Sequence, residues 1–184
     1  MPTARAVLAE QAEAPQASAE PLPQPVAVVP DGVPERLTDR YGRTVRDLRL
    51  SITDRCNLRC TYCMPAEGVP WLPRKTLLTP EELMRIVRVA VGEGIEEVRL
   101  TGGEPLLRPD CVAVVAAITS VEPRPEISIT TNGIGLSRLA EALKQAGLAR
   151  VNISLDTLKP DRFHQLTRRN RLADVLAGIA AADA

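Results

Sequence analysis

The sequence predicts an α/β protein, a parallel sheet with its helices on the outside, built from four strand-helix units in succession. Three observations predict it. From Asp47 onward, short segments in which apolar and polar residues alternate take turns with longer segments of helical period. The helical segments open on capping signals or close on glycine. Hydrophobic residues make up 45% of the chain and charged ones 25%, which are globular proportions. Successive strand-helix units of this kind place their strands parallel in one sheet.

Each element can be justified in turn. Residues 48–52 read as the first strand. Thr79-Pro80-Glu81-Glu82 forms a capping box with proline at the first helical position, and the helix it opens carries Leu83, Ile86, Val87 and Ala90 on one face and ends near Gly92 or Gly94. Residues 98–101 are strand and 110–121 helix; 127–131 are strand and 137–146 helix, closed by Gly147. Residues 151–156 form the fourth strand, followed by helical pieces bearing Phe163 and Leu166, then Leu172, Val175, Leu176 and Ile179. The first 34 residues hold 7 of the 16 prolines and 8 alanines with no aromatic residue, so residues 1–36 are expected to form a flexible tail and 37–184 the core.

Composition narrows the function. With 23 Lys+Arg against 23 Asp+Glu the formal net charge is zero, which argues against a nucleic-acid binder. No run approaches the roughly 18 apolar residues of a membrane span, and no basic stretch precedes an apolar one near Met1. A cytoplasmic protein without membrane contact is expected. Four cysteines would suit two disulfides in a secreted domain, but Cys56, Cys60 and Cys63 lie within eight residues of one another, which favours a metal or cluster site.

The strands carry a second signal. Buried parallel strands usually read as continuous aliphatic runs, whereas here Leu48, Leu50, Ile52, Val98, Leu100, Ile127, Ile129, Val151, Ile153 and Leu155 alternate with polar residues. The helices must cover that apolar set. The opposite face presents Arg49, Ser51, Thr53, Arg99, Thr101, Ser128, Thr130, Asn152, Ser154 and Asp156. It lines a ligand cavity in which arginines need an anion as partner, or else its groups satisfy one another around water.

Cys56, Cys60 and Cys63 stand at C-x3-C-x2-C spacing directly after the first strand, where folds of this kind place their chemistry. Three thiolates on one loop can bind three irons of a four-iron cluster and leave the fourth open. A structural zinc site is the alternative, but it normally closes with four ligands and nothing nearby supplies the fourth. Cys111 reads as a packing residue and His164 as a polar helix residue.

The C-x3-C-x2-C motif resembles the signature of radical S-adenosylmethionine (SAM) enzymes, and Gly102-Gly103-Glu104-Pro105 after the second strand is similar to the GGEP motif of that superfamily. The glycines are expected to let backbone approach a small zwitterionic ligand. More narrowly, residues 47–56, 63–65, 99–106, 130–133 and 151–158 resemble the GTP 3′,8-cyclase family of molybdenum cofactor biosynthesis. The resemblance implies a radical SAM partial TIM barrel, here the first four units of an expected (β/α)6 barrel. It implies that Cys56, Cys60 and Cys63 hold a [4Fe-4S] cluster with one open iron, that Tyr62, Gly103 and Ser154 contact SAM, and that Arg49, Arg99 and Thr130 contact GTP.

In that family an electron passes from the cluster to the SAM sulfonium. The radical so released takes hydrogen from C3′ of GTP, and the sugar carbon then attacks C8 of guanine. No protein side chain is implied as catalytic beyond the cluster and SAM. An external one-electron reductant and a downstream cyclic pyranopterin monophosphate synthase are the implied partners. A second [4Fe-4S] cluster is expected only in a C-terminal part that these 184 residues lack, so the chain reads as an N-terminal fragment without activity of its own. Another radical SAM enzyme, acting on a peptide or in haem assembly, and a non-catalytic metal-binding module remain as alternatives.

Overall fold

The computed structural model describes residues 36–183; the tail expected over residues 1–36 lies, but for Arg36, outside them. Four strands, β1 (Asp47–Ser51), β2 (Glu97–Thr101), β3 (Glu126–Thr131) and β4 (Arg150–Ile153), form one sheet in the order β1-β2-β3-β4. Every neighbouring pair is parallel. The helices are α1 (Pro80–Gly92), α2 (Cys111–Thr119), α3 (Leu136–Gln145), α4 (Pro160–Thr167) and α5 (Leu172–Asp183). The expected α/β class and its unit order are therefore present.

The predicted capping box opens α1. Thr79 Oγ1 accepts from the Glu82 amide at 3.2 Å, while Glu82 Oε2 accepts from the Thr79 amide at 2.8 Å. The buried stripe of that helix is Leu83, Met84, Val87 and Val91. Ile86, expected inward, is exposed, because the apolar arc is wider than the contact and packing selects one edge of it. The same happens on α5, where Leu172, Val175 and Gly178 are buried while Leu176 and Ile179 are exposed. Gly178 is required there, since a Cβ would overlap the Gly133 carbonyl on which the helix rests.

Strand parity holds. Leu50, Val98, Leu100, Ile127 and Ile129 are buried in one core with Leu83, Val87, Val114, Val115, Ile118 and Leu143 of the first three helices. Each such fully buried aliphatic side chain contributes about 1.5–3 kcal/mol relative to exposure. On the other face the register sets Arg49, Arg99, Ser128 and Arg150 side by side in a row across all four strands. Arg49 and Ser51 are exposed there, and Thr130 and Asn152 half-buried. β4 stops at Ile153 rather than continuing to Asp156, because β3 turns away at Asn132 and Gly133 (φ 80°) and the last bond available is Ser154 N–H to the Thr131 carbonyl at 2.8 Å.

Candidate functional site

The three thiols stand on the loop leaving β1, and the sequence around them explains why that loop is held. On one side lies the β2 loop. Gly103 and Glu104 donate their amides to the carbonyls of Thr53 (2.8 Å) and Arg55 (2.7 Å). A Cβ on Gly102 would overlap the Thr53 carbonyl, and one on Gly103 would overlap those of Arg55 and Asp54. On the side where a Cβ would stand, the thiol loop's own backbone makes the close approach that requires these glycines, while both also border an open cleft.

Glu104, the acid of the same motif, is buried. Its carboxylate accepts from the Leu106 amide (3.0 Å), the Thr131 hydroxyl (2.6 Å) and the Asn132 amide (2.7 Å). Burial pushes its pKa up, against the lowering effect of those three bonds. Asn132 in turn donates to Asn57 Oδ1 at 2.7 Å, one residue beyond Cys56. One carboxylate therefore links the ends of β2 and β3 to the thiol loop.

On the other side lies the end of α4. The amides of Thr61 and Arg59 donate to the carbonyls of Leu166 (2.8 Å) and Thr167 (3.0 Å). Arg168, with a left-handed backbone (φ 55°, ψ 27°), donates from Nη1 to the carbonyls of Arg59 (2.9 Å) and Met64 (3.1 Å). Arg59 folds back onto the carbonyls of Cys56 (2.9 Å) and Leu58 (2.8 Å) and lies over the Trp71 ring at 5.2 Å.

All three thiols are free. Burial is the main force pushing the Cys56 thiol up; the Leu58 amide opposes it, and Glu104, Cys60 and Cys63 add to it. Cys60 is likewise raised first by burial, with Cys63 and Asp156 adding to it against a hydrogen bond from Tyr62. The thiols thus sit close enough to repel one another as thiolates, and among the described residues no salt bridge or hydrogen bond commits a side-chain cation to them. A metal centre would supply the missing positive charge, and its binding would release protons. Among the described residues no three thiol, carboxylate or imidazole groups converge on a single metal-ion position. The donor set is soft and all sulfur, which suits iron-sulfur chemistry. Cys111 is buried at the start of α2 with its thiol pushed up to about 11, chiefly by burial, and has no part in this loop. His164 is exposed on α4.

Among the described residues three further polar atoms are buried without a partner: Asp54 Oδ1 and Arg55 Nε on the loop itself, and Asn152 Nδ2 on β4. Such atoms call for a polar ligand. Tyr62, between Cys60 and Cys63, donates its hydroxyl to Asp156 Oδ2 at 2.7 Å, a bond that raises its pKa. That contact brings Tyr62 to the segment that follows β4, two residues beyond Ser154. Tyr62, Gly103 and Ser154 therefore stand on segments that leave the strands' C-terminal ends, whereas Arg49, Arg99 and Thr130 lie on the sheet below.

Arg99 is already engaged. Its Nη2 donates to Glu97 Oε1 at 2.9 Å and its Nε to Ser128 Oγ at 3.4 Å. The same Glu97 oxygen accepts from Ser128 Oγ (2.9 Å) and Arg150 Nη2 (2.9 Å), and Arg150 also meets Glu126 at 2.9 Å. The Arg99 guanidinium leads the interactions that hold Glu97 down at about 2. Glu97 and Arg150 escape the sequence reading because each precedes the first apolar residue of its strand; extending the parity by one position would have found both. Arg168 gives no such signal.

A cleft of 420 Å³ adjoins the thiol loop, lined by Ser51, Thr53, Asp54, Gly102 and Gly103 together with Leu72 and residues 76–78. A larger one of 530 Å³ lies between α3, α5 and the start of β4, away from the thiols. It offers aliphatic walls with Lys144 and Glu141 at the margin. Two of the three unpartnered polar atoms, on Asp54 and Arg55, belong to the thiol loop, which marks that end as the site.

A parallel sheet with a three-thiol loop after its first strand and a Gly-Gly-Glu-Pro loop after its second defines a class. Residues 50–184 match the family model of the radical SAM superfamily, and the chain belongs to that superfamily. The cofactors that go with it are, in general terms, a four-iron cluster and SAM. More particularly, the chain is 63% identical over 147 residues to the GTP 3′,8-cyclase of Streptomyces coelicolor, covering 79% of this chain and 43% of the relative. It is 61% identical over 149 residues to that of Mycolicibacterium smegmatis, covering 80% and 41%. The chain thus spans less than half the length of these relatives. Among solved structures it resembles HydG, a maturase of the [FeFe]-hydrogenase, with a TM-score of 0.59 at 17% identity over 74% of this chain and 32% of that one. Streptococcus suis SuiB gives 0.56 at 21% identity over 72% and 29%. These likenesses show the fold.

Proposed function

We propose that the chain carries the cluster and SAM site of a GTP 3′,8-cyclase of molybdenum cofactor biosynthesis, with GTP as substrate. One observation carries the reading: three free thiols and the Gly102-Gly103-Glu104 loop are fastened together at one end of the sheet, in a chain whose similar relatives are GTP 3′,8-cyclases. Cys56, Cys60 and Cys63 would hold a [4Fe-4S] cluster with one iron open, and Tyr62, Gly103 and Ser154 would contact SAM. When bound and reduced by an external one-electron donor, these groups supply the hydrogen-abstracting chemistry.

The chain's own residues bind and orient. Arg49, with no hydrogen-bond partner among the described residues, and Arg99, whose Nη1 is uncommitted, present paired cations to a triphosphate. Thr130 stands further along β3, toward the rim. The Glu97 carboxylate and the Ser128 hydroxyl hold the other side of the Arg99 guanidinium. The product would pass to a downstream cyclic pyranopterin monophosphate synthase.

Anaerobic reconstitution with iron and sulfide, followed by SAM, dithionite and GTP, tests the reading. The expected result is four irons per chain and slow reductive cleavage of SAM to 5′-deoxyadenosine and methionine. Zinc uptake without sulfide, or a reconstituted cluster indifferent to SAM, would contradict it.

A further inference from the structure

We propose that Arg168 is a positioning residue for the thiol loop: its guanidinium, projected from a left-handed backbone at the end of α4, clamps the turn that carries Cys60 and Cys63. For its chemical meaning the clamp rests on the cluster reading of those thiols. The geometry is compact. The two carbonyls that Arg168 Nη1 reaches, those of Arg59 and Met64, bracket residues 60–63 on both sides. Inside the bracket the turn closes on itself, the amides of Cys63 (3.0 Å) and Met64 (2.9 Å) both donating to the Cys60 carbonyl. Thr61 and Arg59 are bonded to the two residues that precede Arg168. The end of one helix therefore fixes the spacing of two thiols by bonding the loop's backbone, through its own carbonyls and the Arg168 side chain, leaving both sulfurs free.

The backbone at Arg168 supports a selected role for its side chain. Helices often close on a left-handed residue, and glycine is the usual one because it lacks a Cβ. Among the described residues Arg168 is the only non-glycine with positive φ. Glycine would fit this position with less strain but could not reach the loop. The Nη1 contacts are what the arginine adds.

The test compares wild type with Arg168→Gly and Arg168→Lys in two measurements: amide hydrogen exchange in the metal-free chain, and iron release to a chelator from the reconstituted chain. Glycine adopts this φ freely, so the unfolding midpoint of Arg168→Gly should stay level or rise. Exchange at the Thr61, Cys63 and Met64 amides should nevertheless quicken by on the order of tenfold, and iron release should quicken by about tenfold or more, as for other residues that orient metal ligands. Arg168→Lys, with one compact donor group, should fall between. Folded Arg168→Gly with unchanged exchange at those amides would overturn the clamp. If Arg168→Gly does not fold, wild-type exchange in Arg168→Lys would overturn it equally. A wild-type chain that takes up no iron would sink the cluster reading instead, and the exchange comparison would still decide the clamp.

Discussion

The two ends of the sheet handle their polar groups in opposite ways. At the N-terminal end, Glu97 gathers Arg99, Ser128 and Arg150 onto one oxygen, and Glu126 completes the set with Arg150, so charge is matched by charge within the protein. At the C-terminal end the fastening is done by backbone amides, one buried carboxylate and an arginine directed at carbonyls. Three thiols are left free there, and Asp54 Oδ1 and Arg55 Nε are left without partners. The contrast teaches where function resides. The set around Glu97 is satisfied but for the Arg99 Nη1, whereas the thiol end is rigidly held yet chemically unfinished, and most of what awaits a partner lies there.

The largest expected effect breaks the unfinished end alone. Cys60→Ser should reduce iron and sulfide incorporation by roughly an order of magnitude, while Cys111→Ser leaves it unchanged. Chemical iron and sulfide analysis after anaerobic reconstitution checks this. Loss of the cluster in Cys111→Ser with retention in Cys60→Ser would invert the assignment. Next comes the junction: Gly102→Ala drives a methyl into the Thr53 carbonyl at a φ of 144°, and should destabilise the fold by about 1–3 kcal/mol in urea unfolding.

The two buried or paired glutamates sharpen the comparison through pH. Glu97 titrates at about 2 in the folded chain, below its unfolded value of about 4.3. Its contribution to stability is present above that unfolded value and is lost as pH falls towards 2. Glu104 is raised, chiefly by burial, so its contribution is complete below the unfolded value and is lost as pH rises through the folded one. Replacing each with glutamine removes its own slope. Glu97→Gln should flatten the acid limb of a plot of unfolding free energy against pH, and Glu104→Gln the limb above it. The same slope change in both variants would erase the distinction between the two ends. The smallest effect is at neutral pH, where Glu97→Ala should cost no more than about 1 kcal/mol, because its partners are partly exposed.

Much of this was legible in the sequence. Strand parity alone assigned Leu50, Leu100 and Ile129 to the core and Arg49, Arg99 and Thr130 to the opposite face, because one alternation serves both. The C-x3-C-x2-C spacing located the loop because thiol chemistry needs few residues. What stayed hidden depends on long-range contact. Glu97 and Arg150 begin their strands before any apolar residue marks them. Ile86 and Met84 exchange places because an apolar arc does not say which edge will be packed. Arg168 bonds a loop more than a hundred residues earlier from a conformation ordinarily given to glycine, and no local pattern announces it. Gly102 and Gly103 were legible as close-approach residues, but what approaches them was visible only in the fold.

The most direct test of the account is the electron paramagnetic resonance spectrum of the anaerobically reconstituted, dithionite-reduced chain, recorded with and without SAM. If the C-terminal end of the sheet holds a four-iron cluster on Cys56, Cys60 and Cys63 with one iron open, the reduced signal should be that of a [4Fe-4S]+ centre. SAM should shift its g values, and Cys111→Ser should behave identically. A reduced cluster whose spectrum is untouched by SAM at saturating concentration, or one that persists in Cys60→Ser and vanishes in Cys111→Ser, would contradict it.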